Sequence, residues 1–279
     1  MNTLIKKLLK AFLQKLNYKL IPYSRFNKFS EESFFNELYK EGDKSVYLNV
    51  GAGRFRHSHW TNLDLKESDL SVDWIGNDIN HDLLANTKIP LEDNSLDAIY
   101  ASHVMEHIPQ NSVEHFFRDA KRMLKPGSIM RISVPNTDLA INAFLRDDKR
   151  FFEEFYSESC NGISMSNLLV RYVATQAVDT KFSNNSLHKI DKLNNMGYQE
   201  ILSFLSELCL ECDIEYQSIN FQDHVNWFNE SKLLSIFENA GFEKINTSGF
   251  GQSYYPHFRD TRYFDKTLSN VSLYVEGIA

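Results

Sequence analysis

The stretch YLNVGAGRF, residues 47–55, constrains the fold more than any other part of the chain. The run Tyr47-Leu48-Asn49-Val50 stops at Gly51-Ala52-Gly53, and charge follows at once in Arg54 and Arg56. A strand that ends in two glycines one residue apart makes a tight turn that a ligand can approach closely, because neither glycine carries a Cβ. Residues 61–65 (TNLDL), 72–75, 96–101 (LDAIYA) and 129–134 (IMRISV) read as further strands. Residues 113–124 (VEHFFRDAKRML) have helical periodicity and end at the turn signal Lys125-Pro126-Gly127. Strands alternating with helices predict an α/β fold with a mostly parallel sheet covered on both faces.

Residues 138–222 break this rhythm. Three helices are expected there, at 139–155, 164–177 and 198–210, with a polar link near 182–187. The segment is too long for a structureless loop and reads as a helical insertion for substrate or lid. The α/β pattern then resumes. Asn229 caps a helix over 230–240, Gly241 ends it, and residues 245–248 and 272–276 close the sheet as a hairpin-like pair. The expected division is a basic N-terminal helix (1–30), a cofactor-binding core (31–137, opening with a short helix at 31–39), the insertion (138–222) and the last part of the core sheet (223–279).

The first 30 residues hold no Asp or Glu but seven basic residues, with Leu4, Ile5, Leu8, Leu9, Phe12, Leu13 and Leu16 at helical spacing. Two readings stay open: a peripheral contact of residues 1–25 with an anionic membrane surface, or packing on the protein itself or a partner subunit. Lysines interrupt the apolar residues, unlike a signal-peptide core. The three cysteines make no disulfide framework, and reduced thiols fit the cytoplasmic protein that is expected. Net charge −7 disfavours a nucleic-acid partner. Cys209 and Cys212 have no second pair or His cluster beside them, so no metal centre is expected. The sequence leaves the oligomeric state open.

In a doubly wound sheet the ligand lies beyond the carboxyl ends of the strands. Asp64 ends the second strand, where a carboxylate accepts hydrogen bonds from a ribose diol. Asp82 and Leu83 follow the third, a polar and an apolar group suited to the edge and face of a base. Arg56 stands where a dinucleotide fingerprint needs its third glycine, so a pyrophosphate-cradling dehydrogenase fits poorly.

The ordered set NVGAG, NLDL, IPLEDNSLDAIYASHVMEHIP and RMLKPGSIMRISVPN resembles the class I S-adenosylmethionine-dependent methyltransferases. More narrowly, it is similar to the type-11-like bacterial branch often associated with surface polysaccharide clusters. The resemblance covers residues 46–136 and resumes at 223–242 and 272–276; the insertion resembles nothing assignable. It implies a Rossmann-like, doubly wound, seven-stranded sheet with S-adenosylmethionine held by Asn49, Gly51, Ala52, Gly53, Asp64, Leu65, Asp82, Leu83, Ser102, His103 and His107. Ala52 replaces a cysteine found in many members, and Asp78 is a rival to Asp82. Glu106 is expected to help shape the same pocket.

A hydroxyl acceptor must lose a proton, and histidine changes charge near neutrality. His103, His224 and His257 lie at ends of elements and are the candidate catalytic groups. Tyr255 and Arg259, in an aromatic and basic stretch, are candidate sugar-stacking and anion-holding residues. The expected function is O-methylation of a sugar in a surface polysaccharide or its precursor. The alternatives are methylation of another small metabolite, or a non-catalytic Rossmann-like scaffold of a glycan-assembly complex.

Overall fold

The computed structural model describes residues 35, 37–39, 44–65, 78–178 and 190–279. The expected helix over 1–30, most of the helix at 31–39, the strand at 72–75 and the link at 182–187 lie outside the described residues. Met1–Asp43 and Lys44–Ala279 form separate units. In the first, the described residues show one turn, with Leu38 N donating to Phe35 O.

Among its described residues the second unit has seven strands: β1 (Tyr47–Val50), β2 (Trp60–Asp64), β3 (Ile79–Asn80), β4 (Leu96–Ser102), β5 (Leu124–Pro135), β6 (Glu243–Ser248) and β7 (Ser272–Ile278). Their order is β3-β2-β1-β4-β5-β7-β6, and β7 runs opposite to the other six. This is the doubly wound, mostly parallel, Rossmann-like α/β sheet. All four residues of β1 are buried, which is why it reads as a nearly continuous apolar run rather than an alternating one. Its polar member, Asn49, donates through Nδ2 to Asn62 Oδ1 at 3.4 Å.

Helix α1 (Gln110–Met123) turns Val113, Phe116, Phe117, Ala120 and Met123 into the core. Its last turn holds the preceding loop. Arg122 donates to the carbonyls of Ile89 and Leu91, and Asp119 accepts from Ile89 N at 2.7 Å. The turn signal Lys125-Pro126-Gly127 lies within β5 instead of before it. Pairing with β4 jumps there from Leu96–Leu124 to Ala98–Ile129, so the extra residues form a bulge.

The insertion folds as α2 (Thr137–Leu145), α3 (Lys149–Tyr156), α4 (Met165–Val173), α5 (Tyr198–Leu210) and the short α6 (Ile214–Gln217). The single helix expected over 139–155 is two, broken where Asp147 takes φ +56°. These helices build a second apolar core of their own around Phe152, Leu168, Leu169, Tyr172, Leu193, Ile201 and Leu205. Ser164 caps α4 by accepting from Asn167 N, and Asn229 caps α7 (Glu230–Asn239) by accepting from Lys232 N. Cys209 and Cys212 belong to this core. Their thiols lie against the Val173 and Leu208 carbonyls, and burial pushes the Cys212 thiol up to about 12.

One charged hub joins the sheet to the loop between β6 and β7. Arg131 of β5 is fully buried. It donates to Asp265 through Nε (3.1 Å) and Nη2 (2.6 Å), to Glu276 at 3.0 Å, to Ser248 and to the Gly249 carbonyl. Removing Asp265 strips the guanidinium of two charge-assisted hydrogen bonds in a dry site and leaves Glu276 as its one carboxylate among the described residues. Asp265→Ala is therefore expected to lower the unfolding free energy by about 3–5 kcal/mol in a urea titration. A loss below about 1 kcal/mol, the scale of an exposed pair, would contradict this.

Candidate functional site

The site forms where β1, β2 and β4 end. Gly51 takes φ +62° and donates its N–H to Leu63 O at 2.8 Å. A Cβ on it would lie 2.2 Å from Val104 Cγ2, so the close approach of the loop after β4 requires glycine. Gly53, at φ +48°, has open space where a Cβ would be. Its N–H donates to Asp64 Oδ2 at 2.6 Å, while Asp64 Oδ1 accepts from Leu65 N at 2.8 Å. Each oxygen of an ionised carboxylate accepts about two hydrogen bonds. Asp64 is thus fixed by two backbone donors and retains capacity for a ligand.

A cleft bounded by Gly51, Gly53, Asp64, Leu65, Asp82, Leu83, His103 and His107 opens here, with Gln217 and Phe221 of the insertion on its far side. It encloses about 840 Å³, mouth included, which is the size of a small-molecule site. Asp82 caps the turn Leu83–Ala85 by accepting from Leu84 N at 2.8 Å. Its rival Asp78 accepts from Asn62 N instead and does not line the cleft.

A second cleft lies across the glycine turn. Asn49, Ala52 and Ser102 face this one, together with Gly51, Gly53 and His103, which belong to both. Its remaining wall carries Arg54, Phe55, Arg56, Tyr100, Arg262, Tyr263, Lys266 and Thr267.

His103 is the hinge between the clefts. Its N–H is held by Ser133 O at 2.8 Å, and its φ of +54° is a conformation that a non-glycine residue adopts only when its surroundings enforce it. The turn directs its Nε2 to Ser272 Oγ (2.7 Å) and its Nδ1 to Glu106 Oε1 (3.0 Å). Glu106 is 1% exposed, and neither oxygen receives a well-formed hydrogen bond. Burial alone would raise its pKa. The imidazoles of His103, His107 and His224 together outweigh that and hold it down at about 2.

The candidate histidines separate here. His224 lies behind His107, ring centroids 4.8 Å apart, with Nδ1 on the Tyr172 carbonyl at 2.6 Å. It does not line either cleft, and burial and the neighbouring His107 push its pKa down to about 4. His257 is elsewhere. Its ring is buried between Tyr47 and Tyr255 and lies 3.4 Å from the Tyr47 hydroxyl. Tyr255 stacks on His257, and Arg259 folds back onto the carbonyls of Ser253 and Tyr254. Neither lines either of these two clefts. The stretch 254–259 is an aromatic packing loop, and the next turn supplies the cleft residues Arg262, Tyr263 and Lys266. Residues 262–266 (RYFDK) again place basic and aromatic side chains close together, and that was the available signal.

The family described as a methyltransferase domain matches residues 44–247. The chain belongs to this family. It is an S-adenosylmethionine-dependent methyltransferase. No curated protein matches it. It is similar to a SAM-dependent methyltransferase of Archaeoglobus fulgidus (12% identity, 93% of this chain and 100% of that chain, TM-score 0.43). It is also similar to a possible histamine N-methyltransferase of Thermotoga maritima (11% identity, 91% and 89%, TM-score 0.40). A third similarity is to the complex between the Haloferax volcanii Trm112 methyltransferase activator and a methyltransferase (10% identity, 85% and 82%, TM-score 0.41).

The cleft suits the methyl donor of this family. The anchored Asp64 has acceptor capacity for a ribose diol, Asp82 and Leu83 offer an acceptor and an apolar face, and Gly53 leaves room along its backbone. Gly51→Ala is expected to abolish S-adenosylmethionine binding in calorimetry. Asp64→Ala should weaken it by roughly tenfold or more, the worth of a charge-assisted hydrogen bond, with the circular dichroism spectrum retained. Wild-type affinity in both variants would contradict the placement.

Proposed function

We propose that this methyltransferase acts on a sugar hydroxyl in a surface polysaccharide or, more directly, in a phosphorylated precursor of one. The observation that carries the reading is the second cleft. Arg54, Arg56, Arg262 and Lys266 surround it, although the chain as a whole is net acidic. Arg262 forks onto Asp260 at 2.6 and 2.8 Å, and Arg56 Nη1 donates to the Gly53 and Phe55 carbonyls. Phe55, Tyr100 and Tyr263 supply aromatic surface beside the cations. Guanidinium forks recognise phosphate oxygens, and aromatic faces suit the C–H face of a sugar.

When bound, S-adenosylmethionine supplies a methyl group on a sulfonium, a centre that leaves as a neutral thioether once an oxygen takes the methyl. The protein's task is alignment and proton removal. His103 stands where the two clefts meet, with Glu106 behind Nδ1. An acceptor hydroxyl that displaces Ser272 Oγ from Nε2 delivers its proton there, and the Glu106 carboxylate stabilises the imidazolium. Such precursors are made inside the cell, which agrees with a cytoplasmic site of action. A lipid-linked precursor would bring the basic residues 1–25 to a membrane surface.

Incubation with methyl-labelled S-adenosylmethionine and a panel of sugar nucleotides, lipid-linked glycans, amines and uncharged alcohols tests the reading. Label is expected on a phosphorylated sugar. The double variant Arg54→Ala/Lys266→Ala should raise the KM for that acceptor about tenfold or more, with little change in cofactor affinity. Label confined to an amine or an uncharged metabolite would overturn it.

A further inference from the structure

At the wall of the cleft the side chains of Glu106, His107 and His224 converge. His107 Nδ1 lies 3.1 Å from the Asp223 carbonyl, and His224 Nδ1 lies 2.6 Å from the Tyr172 carbonyl. A carbonyl only accepts, so each Nδ1 carries the proton and each Nε2 presents its lone pair. The His107 lone pair faces Glu106, a carboxylate that is 1% exposed and whose nearest donor is His103 Nδ1, 3.0 Å from Oε1. His107 Nε2 is 3.8 Å from Glu106 Oε1, and one ligand atom from each of the three residues lies within 4.8 Å of the others. Imidazole lone pairs set against a buried carboxylate are unfavourable unless a positive centre sits among them.

We infer that Glu106, His107 and His224 form a binding site for a divalent transition-metal ion. Two imidazole nitrogens and one carboxylate oxygen are ligands that suit zinc, cobalt, manganese or ferrous iron. Imidazoles whose other N–H is tied to a backbone carbonyl are oriented as metal ligands usually are. Tetrahedral bonds of ~2.1 Å place ligand atoms about 3.4 Å apart, so small side-chain rotations close the set. The three residues come from two distant parts of the chain. Backbone bonds fix their approach, since the Glu106 carbonyl accepts from Val225 N (2.9 Å) and Asn226 N (3.2 Å). His107 also lines the cofactor cleft, so one side of the ion would be open to a ligand there. The sequence reading expects no metal, because it weighs only Cys209 and Cys212 and treats His107 and His224 separately.

The test is titration of the metal-stripped full-length protein with cobalt(II), read by visible absorption and by calorimetry, with neither methyl donor nor acceptor present. About one equivalent is expected to bind, with d–d bands characteristic of nitrogen and oxygen ligation. The single variants His107→Gln and His224→Gln should each lose at least about tenfold in affinity while keeping the wild-type circular dichroism spectrum. No stoichiometric binding would overturn the assignment. Binding that survives both substitutions would also overturn it, by placing the ion elsewhere. If a variant fails to fold, protection of the wild-type histidines from diethyl pyrocarbonate by cobalt(II) decides instead, and absence of protection counts against the site. Because this readout needs no methyl transfer, its failure leaves the acceptor reading standing, and the converse holds.

Discussion

The hydrogen bond from Gly53 N–H to Asp64 Oδ2, 2.6 Å long, holds the site together. It ties the turn after β1 to the end of β2, and the Gly51 and Ala52 N–H groups repeat the tie on the Leu63 carbonyl. The carboxylate that would grip a ribose is thus part of the scaffold that shapes the turn. The turn in turn leaves no room beside Val104, which fixes the loop after β4 and with it His103. Two clefts share that small region of backbone. One presents carboxylates and apolar surface, the other cations and aromatic rings. A cationic donor and an anionic acceptor would meet across it.

Around that point the insertion is bound into the catalytic layer rather than laid over it. Gln217 donates to the carbonyls of His107 and Asp223, and Thr175 N donates to the His224 carbonyl. The far wall of the cofactor cleft therefore moves with the second apolar core. On the opposite flank Arg131 and Asp265 anchor the turn that carries Arg262, Tyr263 and Lys266. A buried ion pair of this kind is costly to desolvate, and its placement beneath the second cleft relates it to the orientation of that turn.

Much of the sheet was legible because parallel strands buried on both faces read as apolar runs. The glycine turn and the two acids announce themselves by order along the chain. The break at Asp147 was not legible, since helical periodicity continues across it and only backbone conformation interrupts it. The bulge in β5 was misread as a turn because Pro126-Gly127 carries the same local signal in either setting. Among site residues, local pattern failed where long-range packing decides. His257 and Tyr255 look like cleft residues in sequence, yet His257 packs on Tyr47 and Tyr255 stacks on His257. The approach of His224 to His107 and Glu106 spans more than a hundred residues, and no spacing rule shows it.

The most direct measurement is a crystal structure of the full-length protein with S-adenosylhomocysteine. The account predicts the ribose hydroxyls on Asp64, the adenine between Asp82 and Leu83, and the Gly53 N–H still bonded to the Asp64 carboxylate. A bound product whose sugar lies away from Asp64, or a carboxylate that makes no contact with it, would contradict the account.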